Sequence, residues 1–270
     1  MALPKEMFVI DDQLKSDIRE NPFYRDLARG FECVDNKETK DSKHLQIQVK
    51  SEGRVVPLKD YDKMGHLVQS ECYLNRYYPL FEYAKIAYDD LAGLMNLLCN
   101  FMGDNVKFEC EIYEESLTNS QSSHSQNTSG GGNYKAFEAN AEYNSSNSQE
   151  TNNQNGRWIK FSANVSNAKK TPEELKNYIE QNYINLHALP ASFRVLVETY
   201  LQSENAKFKS YERQEHTLEQ ASKCTKKCQS FTANASLLPI FKAEFGWDLS
   251  DETNSSRKVL TKIRHCVNFE

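Results

Sequence analysis

The sequence predicts an α+β fold in which an antiparallel sheet packs on one apolar helix. Three patterns predict it: a hairpin near 43–58, an apolar helix near 79–102, and a meander of alternating segments within 106–165. A helical C-terminal third follows. We expect residues 1–167 to form an α+β region, and residues 168–270 a helical region that can pack on the first as one domain.

The hairpin is predicted from strict alternation. In the stretch 43–50 (KHLQIQVK), Leu45, Ile47 and Val49 share one face, and a second strand at 54–58 (RVVPL) returns after the turn Ser51-Glu52-Gly53. Pro57 has no N–H to donate to a neighbouring strand. The second strand is therefore predicted to be an edge of its sheet.

The segment 79–102 is the most apolar part of the chain, and its apolar residues recur at spacings of three and four. Its charges lie only in the first half, and the second half is apolar almost all round. Such a helix is normally covered on several sides. The pattern favours a buried core helix over an exposed groove or a membrane-seeking face.

Three later segments, 106–112, 134–143 and 157–165, alternate between apolar and polar residues, which predicts strands with one covered face and one wet face. Two wholly polar stretches, 118–133 and 144–156, separate them and are predicted to be loops. The inward sets are predicted to be Val106, Phe108, Cys110 and Ile112; Phe137, Ala139, Ala141 and Tyr143; and Ile159, Phe161, Ala163 and Val165.

The last hundred residues are predicted to be helical. Thr171-Pro172-Glu173-Glu174 is a helix start, with threonine at the cap and proline at the first position. A second helix is predicted to open at 190–192 and to continue to Cys228, although its apolar stripe is thin. The segments 234–245 and 255–267 are predicted to complete a helical tail.

Composition limits the classes of function. Hydrophobic residues make up 39% of the 270 residues, aromatic residues 11%, and the formal net charge is -5. These figures exclude fibrous and wholly disordered chains, and an acidic chain offers no overall attraction to nucleic acid. No secretory signal or membrane-spanning run is found, so we expect a cytoplasmic protein in which most of the seven cysteines are free thiols.

The sequence assigns no catalytic residue, metal or cofactor. The strongest metal candidate, a weak one, combines Cys224, Cys228, His265 and Cys266, but its cysteines are four apart rather than in the usual CxxC spacing. The pair Asp89-Asp90 falls within a helical pattern, so its likeness to a metal-binding aspartate pair is a coincidence. The carboxylates of Glu109, Glu111, Glu138 and Glu142 face water, and the histidines are dispersed.

We expect an intracellular protein-interaction or assembly protein that binds a protein partner or itself. The predicted binding residues lie in the helical third: Phe208, Tyr211, Leu218, Lys223, Lys226 and Lys227. Two alternatives stay open. One is a membrane-active or pore-forming protein that uses its amphipathic strands, which release of dye from liposomes would reveal. The other is an enzyme of unrecognised type.

Overall fold

The computed structural model describes residues 3–10, 15–16, 19–20, 32–35, 45–63, 65–103, 105–117, 152–153, 156–166, 170–203, 211–233 and 257–269. The strands are β1 (Glu6–Ile10), β2 (Glu32–Asp35), β3 (Gln48–Ser51), β4 (Arg54–Pro57), β5 (Gly65–Gln69), β6 (Arg76–Pro79), β7 (Asn105–Leu117), β8 (Asn152–Asn153), β9 (Gly156–Ser166), β10 (Tyr211–His216) and β11 (Arg257–Phe269). The α-helices are α1 (Tyr83–Met102), α2 (Pro172–Gln181), α3 (Ala191–Gln202) and α4 (Glu219–Ala233). The predicted α+β class is confirmed.

Six strands form the first sheet, in the order β2-β1-β5-β6-β3-β4. Two neighbouring pairs, β1 with β2 and β3 with β6, run parallel, and the other pairs are antiparallel. The predicted hairpin supplies β3 and β4, and the sequence patterns gave no sign of the other four strands. A small core of its own lies on one side of this sheet, built from Met7, Val9, Val34, Ile47, Val49, Leu58, Tyr61, Leu67 and Tyr77.

The edge position of β4 follows from the register of the hairpin. Glu52 and Gly53 make a two-residue turn in which both backbones are left-handed, with φ of 50° and 76°. Pro57 lies opposite Gln48, whose N–H donates instead to Asn75 on the other side of β3, at 2.9 Å. The nitrogen of Pro57 therefore breaks no bond of the β3–β4 ladder, and the prediction of an edge strand is confirmed.

Five strands form the second sheet, in the order β10-β11-β7-β9-β8, and every neighbouring pair is antiparallel. Val106, Phe108, Cys110 and Ile112 of β7 are buried as predicted. The predicted strand 134–143 and the two predicted polar loops lie outside the described residues, apart from 152–153 and 156. In the described part of the chain β7 and β9 are antiparallel strands as predicted, but they pair directly, so the prediction of a three-strand meander with 134–143 between them is wrong.

Helix α1 lies between the two sheets and is covered on nearly every side. Its apolar residues join one large core with Val68 and Tyr78 of the first sheet and with Phe108 and Ile263 of the second. The helix ends at Gly103, where a Cβ would lie 2.7 Å from Val106 Cγ2, so the turn into β7 closes tightly. The prediction of a buried core helix is confirmed, and no described helix is long and apolar enough to cross a membrane.

Helix α2 begins and ends with recognisable caps. The Thr171 side chain accepts a hydrogen bond from the N–H of Glu174, whose carboxylate accepts one from the N–H of Thr171 in return. At the other end, the N–H of Tyr183 donates to Glu180 and that of Ile184 to Ile179. This Schellman motif normally carries glycine where Tyr183 stands with a φ of 53°.

Replacing Tyr183 tests that backbone strain. A glycine adopts the left-handed region freely whereas alanine does not, so we expect the Tyr183→Gly variant to exceed Tyr183→Ala in free energy of unfolding by about 1 kcal/mol. Both variants remove the ring, so their difference isolates the backbone. Urea denaturation measures it. A Tyr183→Ala variant as stable as Tyr183→Gly would show that the left-handed conformation is not adopted.

The predicted helical third is only partly helical. The prediction of one helix from 190 to Cys228 is wrong: α3 ends at Gln202, and β10 and α4 follow. The predicted helical tail is wrong from residue 257 onward, because β11 is a strand between β10 and β7. The thin apolar stripe explains the first error, since a long helix would have had too little apolar surface to bury.

Candidate functional site

The second sheet has one side turned away from α1, which we call the outer face. Side chains alternate along its strands, and register pairs lie on the same side. The outer face comprises Glu215 of β10; Lys262, Arg264, Cys266 and Asn268 of β11; Lys107, Glu109, Glu111 and Tyr113 of β7; and Trp158, Lys160 and Ser162 of β9. None of these side chains belongs to the buried core of the described chain.

A stacked cluster of two aromatic rings and a guanidinium lies on the outer face. The ring of Tyr113 lies 4.9 Å from that of Trp158, centroid to centroid, with a tilt of 48°. The guanidinium carbon of Arg264 lies 3.9 Å from the centre of the Trp158 ring. Arg264 reaches this position across β7, which separates its own strand from β9. The cluster therefore concentrates apolar and cationic surface at one point of a wet sheet face.

Two carboxylates on the outer face are each held by two cations. Glu109 contacts Lys107 at 3.0 Å and Lys160 at 3.2 Å, and Glu215 contacts Lys262 and Arg264, both at 2.9 Å. The hydrogen bond from Lys107 lowers the pKa of Glu109, and that from Lys262 lowers the pKa of Glu215. The cations stay accessible, since Lys107 and Lys262 are each 47% exposed. Both carboxylates therefore keep their charge near neutral pH.

A second polar cluster centres on Asp90 of α1, which is buried. Lys50 of β3 binds one oxygen of the carboxylate, and Arg76 of β6 binds the other at 2.9 Å. The hydroxyl of Tyr78 also donates to that second oxygen, at 2.5 Å. Because both oxygens already accept from protein donors, the carboxylate is suited to fastening α1 to the first sheet rather than to taking a proton from a substrate.

Two histidines lie on the inner side of the second sheet, away from the outer face. His265 of β11 is buried edge-on against the ring of Phe193, with centroids 5.9 Å apart. Burial, together with the nearby His216, lowers the pKa of His265 to about 4. Burial also lowers the pKa of His216. Both imidazoles are therefore neutral at physiological pH; His265 is buried and His216 is half-buried.

The residues that are predicted from the sequence to bind a partner do not lie together on one surface among the described residues. Leu218 is buried, whereas Lys223 and Lys226 are exposed on α4, where Lys223 pairs with Glu219 at 2.5 Å. Phe208 and the side chains of Tyr211 and Lys227 lie outside the described residues. Leu218 therefore supports the core, and a contact surface on α4 would rest on its lysines.

The proposed metal ligands are also placed apart. Cys224 is buried in the large core, and the side chain of Cys228 lies outside the described residues. His265 and Cys266 are successive residues of a strand, so they point to opposite faces of the sheet. Among the described side chains, no three histidines, cysteines or carboxylates come close enough to hold a metal ion.

Sequence reasoning missed the outer-face cluster although a signal was present. Trp158 stands at a wet position of the predicted strand 157–165, and Tyr113 directly follows the predicted strand 106–112 in the same alternation; aromatic residues are unusual at such positions. Arg264 was missed because its strand lies in a segment that the sequence predicts to be helical. The carboxylates of Glu109 and Glu111 do lie on the wet face as predicted, whereas Glu138 and Glu142 lie outside the described residues.

Comparisons with known proteins find no match. No family model, no curated protein and no solved structure is similar to this chain. The chemistry of the described surfaces is therefore the basis on which function is inferred.

Proposed function

We propose that this chain is a protein-interaction or assembly protein whose binding surface is the outer face. The observation that carries the proposal is the stacked cluster of Tyr113, Trp158 and Arg264 on a wet sheet face. Tryptophan, tyrosine and arginine are the residue types most enriched among those that dominate the energy of protein interfaces.

The two sheets differ in a way that supports this proposal. The far side of the first sheet is covered by a core of its own, which includes Leu58 and Tyr61. The outer face of the second sheet has no comparable apolar cover among the described residues. Its aromatic cluster is instead surrounded by accessible ion pairs, and an apolar centre with a polar rim is the usual anatomy of an interface.

A photoreactive residue tests the proposal whatever the identity of the partner. Benzoylphenylalanine is placed at Tyr113 in the full chain, and the protein is irradiated in its native cells. We expect cross-linked protein adducts at this position and none at Val195, which is 56% exposed on α3. The adduct is also expected to disappear when Arg264→Glu is added, because the cluster loses its guanidinium. Equal labelling from both positions would refute the proposal.

A further inference from the structure

One row of the outer face carries four charges, one on each of four neighbouring strands. Glu215 of β10 is the register partner of Arg264 of β11. Arg264 is in turn the partner of Glu111 of β7, and Glu111 is the partner of Lys160 of β9. Along the row the signs therefore run negative, positive, negative, positive.

A row of four charges with alternating signs is complementary to the same row laid over it in the opposite direction. A two-fold axis that runs along the strands, between β11 and β7, lays a reversed copy of the row over the original. The register position of Glu215 then faces that of Lys160 of the second copy, and the register position of Arg264 faces that of Glu111 of the second copy. The two-fold axis repeats each of these contacts, which gives four attractive pairs and no repulsive one.

We propose that the occupant of the outer face is a second copy of this chain, bound about this axis. The inference rests on the proposed function and names its partner. The same axis brings Lys262 of one copy over Tyr113 of the other, because these two residues are register partners on either side of it. An ammonium above a tyrosine ring adds a cation–π contact to the centre of the interface.

The size of the face fits a reversible dimer. Five strands about 4.8 Å apart, with lengths from the 2 residues of β8 to the 13 of β7 and β11, present roughly 700 Å² to a partner. A stable protein interface buries about 800 Å² on each side. We therefore expect association in the micromolar range, where most of the affinity comes from the aromatic cluster and the charges select the orientation.

The balance of charges favours a protein over a polyanion. The described side chains of the outer face carry four cations and three carboxylates: Lys107, Lys160, Lys262 and Arg264, and Glu109, Glu111 and Glu215. A nucleic acid would be attracted by the first set and repelled by the second. A surface with the same mixture of signs meets no such conflict.

Charge reversal at the two ends of the row tests the arrangement. The purified full chain is examined by sedimentation velocity over micromolar to millimolar concentrations, and a monomer–dimer equilibrium is expected. Lys160→Glu and Glu215→Lys should each weaken dimerisation at least tenfold, because each brings like charges face to face. An equimolar mixture of the two variants, and the double variant, should dimerise like the original chain, since opposite charges meet again.

Control variants separate this effect from damage to the fold. Lys223→Glu reverses a lysine on α4, away from the outer face, and should leave the dimer unchanged. Thermal unfolding followed by circular dichroism checks that each variant is folded. A wild-type chain that stays monomeric, or a mixture that stays monomeric, overturns the inference. Cross-linking from position 113 to a different protein or to RNA would also overturn the inference. A different protein partner would still agree with the proposed function, whereas RNA would not.

Discussion

Replacing Asp90 with asparagine is expected to lower the free energy of unfolding by about 3–5 kcal/mol. The substitution keeps the size of the side chain but removes the charge that Lys50 and Arg76 share. Both cations would then lose the carboxylate that binds them, each with only 17% of its side chain exposed. Urea denaturation followed by circular dichroism measures the loss.

The adjacent Asp89 offers a matched control. Burial raises the pKa of Asp89 to about 6, although Lys50 and Lys85 oppose the shift. Its charged form is thus disfavoured in the folded protein, and Asp89→Asn is expected to leave stability at pH 7 unchanged or slightly higher. Adding Lys50→Met to Asp90→Asn should recover part of the loss, because one unpaired cation is gone. A loss below about 1 kcal/mol for Asp90→Asn would contradict a structural role for the cluster.

Acidification is expected to weaken the fold through His265. The folded protein holds the pKa of this histidine near 4, below its ordinary value of 6.5, so the unfolded chain binds the proton more readily. The stability that the neutral form of His265 contributes is fully present above pH 6.5 and is lost as the pH falls toward 4. For one such group the free energy of unfolding falls by about 1.4 kcal/mol for each pH unit in this range.

A His265→Leu variant isolates this effect. We expect its stability relative to the wild type to rise steadily as the pH is lowered from 6.5, in urea titrations at fixed pH. Asp89, whose raised pKa has the opposite effect, is present in both proteins and cancels in the difference, whereas His216 interacts with His265 and contributes with it to the measured change. Stability curves that run parallel for the two proteins would show that folding does not lower the pKa of His265.

Local sequence patterns predict those elements whose own residues show a clear apolar periodicity or a clear helix start. Helix α1 is identifiable because its apolar residues recur around the whole helix, and α2 because Thr171 and Pro172 mark its start. The strands β7 and β9 alternate clearly enough to be recognised. In contrast, short strands such as β1 and β6 have only four or five residues, which carry too little periodicity to identify them.

The strand β11 carries a strand pattern that was not used to predict it. Its buried residues Ile263, His265 and Val267 alternate with Lys262, Arg264 and Cys266, which is a strand pattern. The prediction of a helix for 255–267 overlooks this alternation. The Asp90 cluster was beyond reach for a different reason: Lys50, Arg76 and Asp90 meet only after three separate elements have packed.

The pairing of β7 with β11 has a consequence for biosynthesis. Leu117 and Arg257 are register partners although they stand roughly 140 positions apart. At a ribosomal rate of about 5–20 residues per second, β7 waits several seconds or more for this neighbour to be made. During that interval Phe108 and Ile112 have no complete sheet around them. The nascent chain is thus expected to require chaperone protection, and refolding from denaturant to be slow.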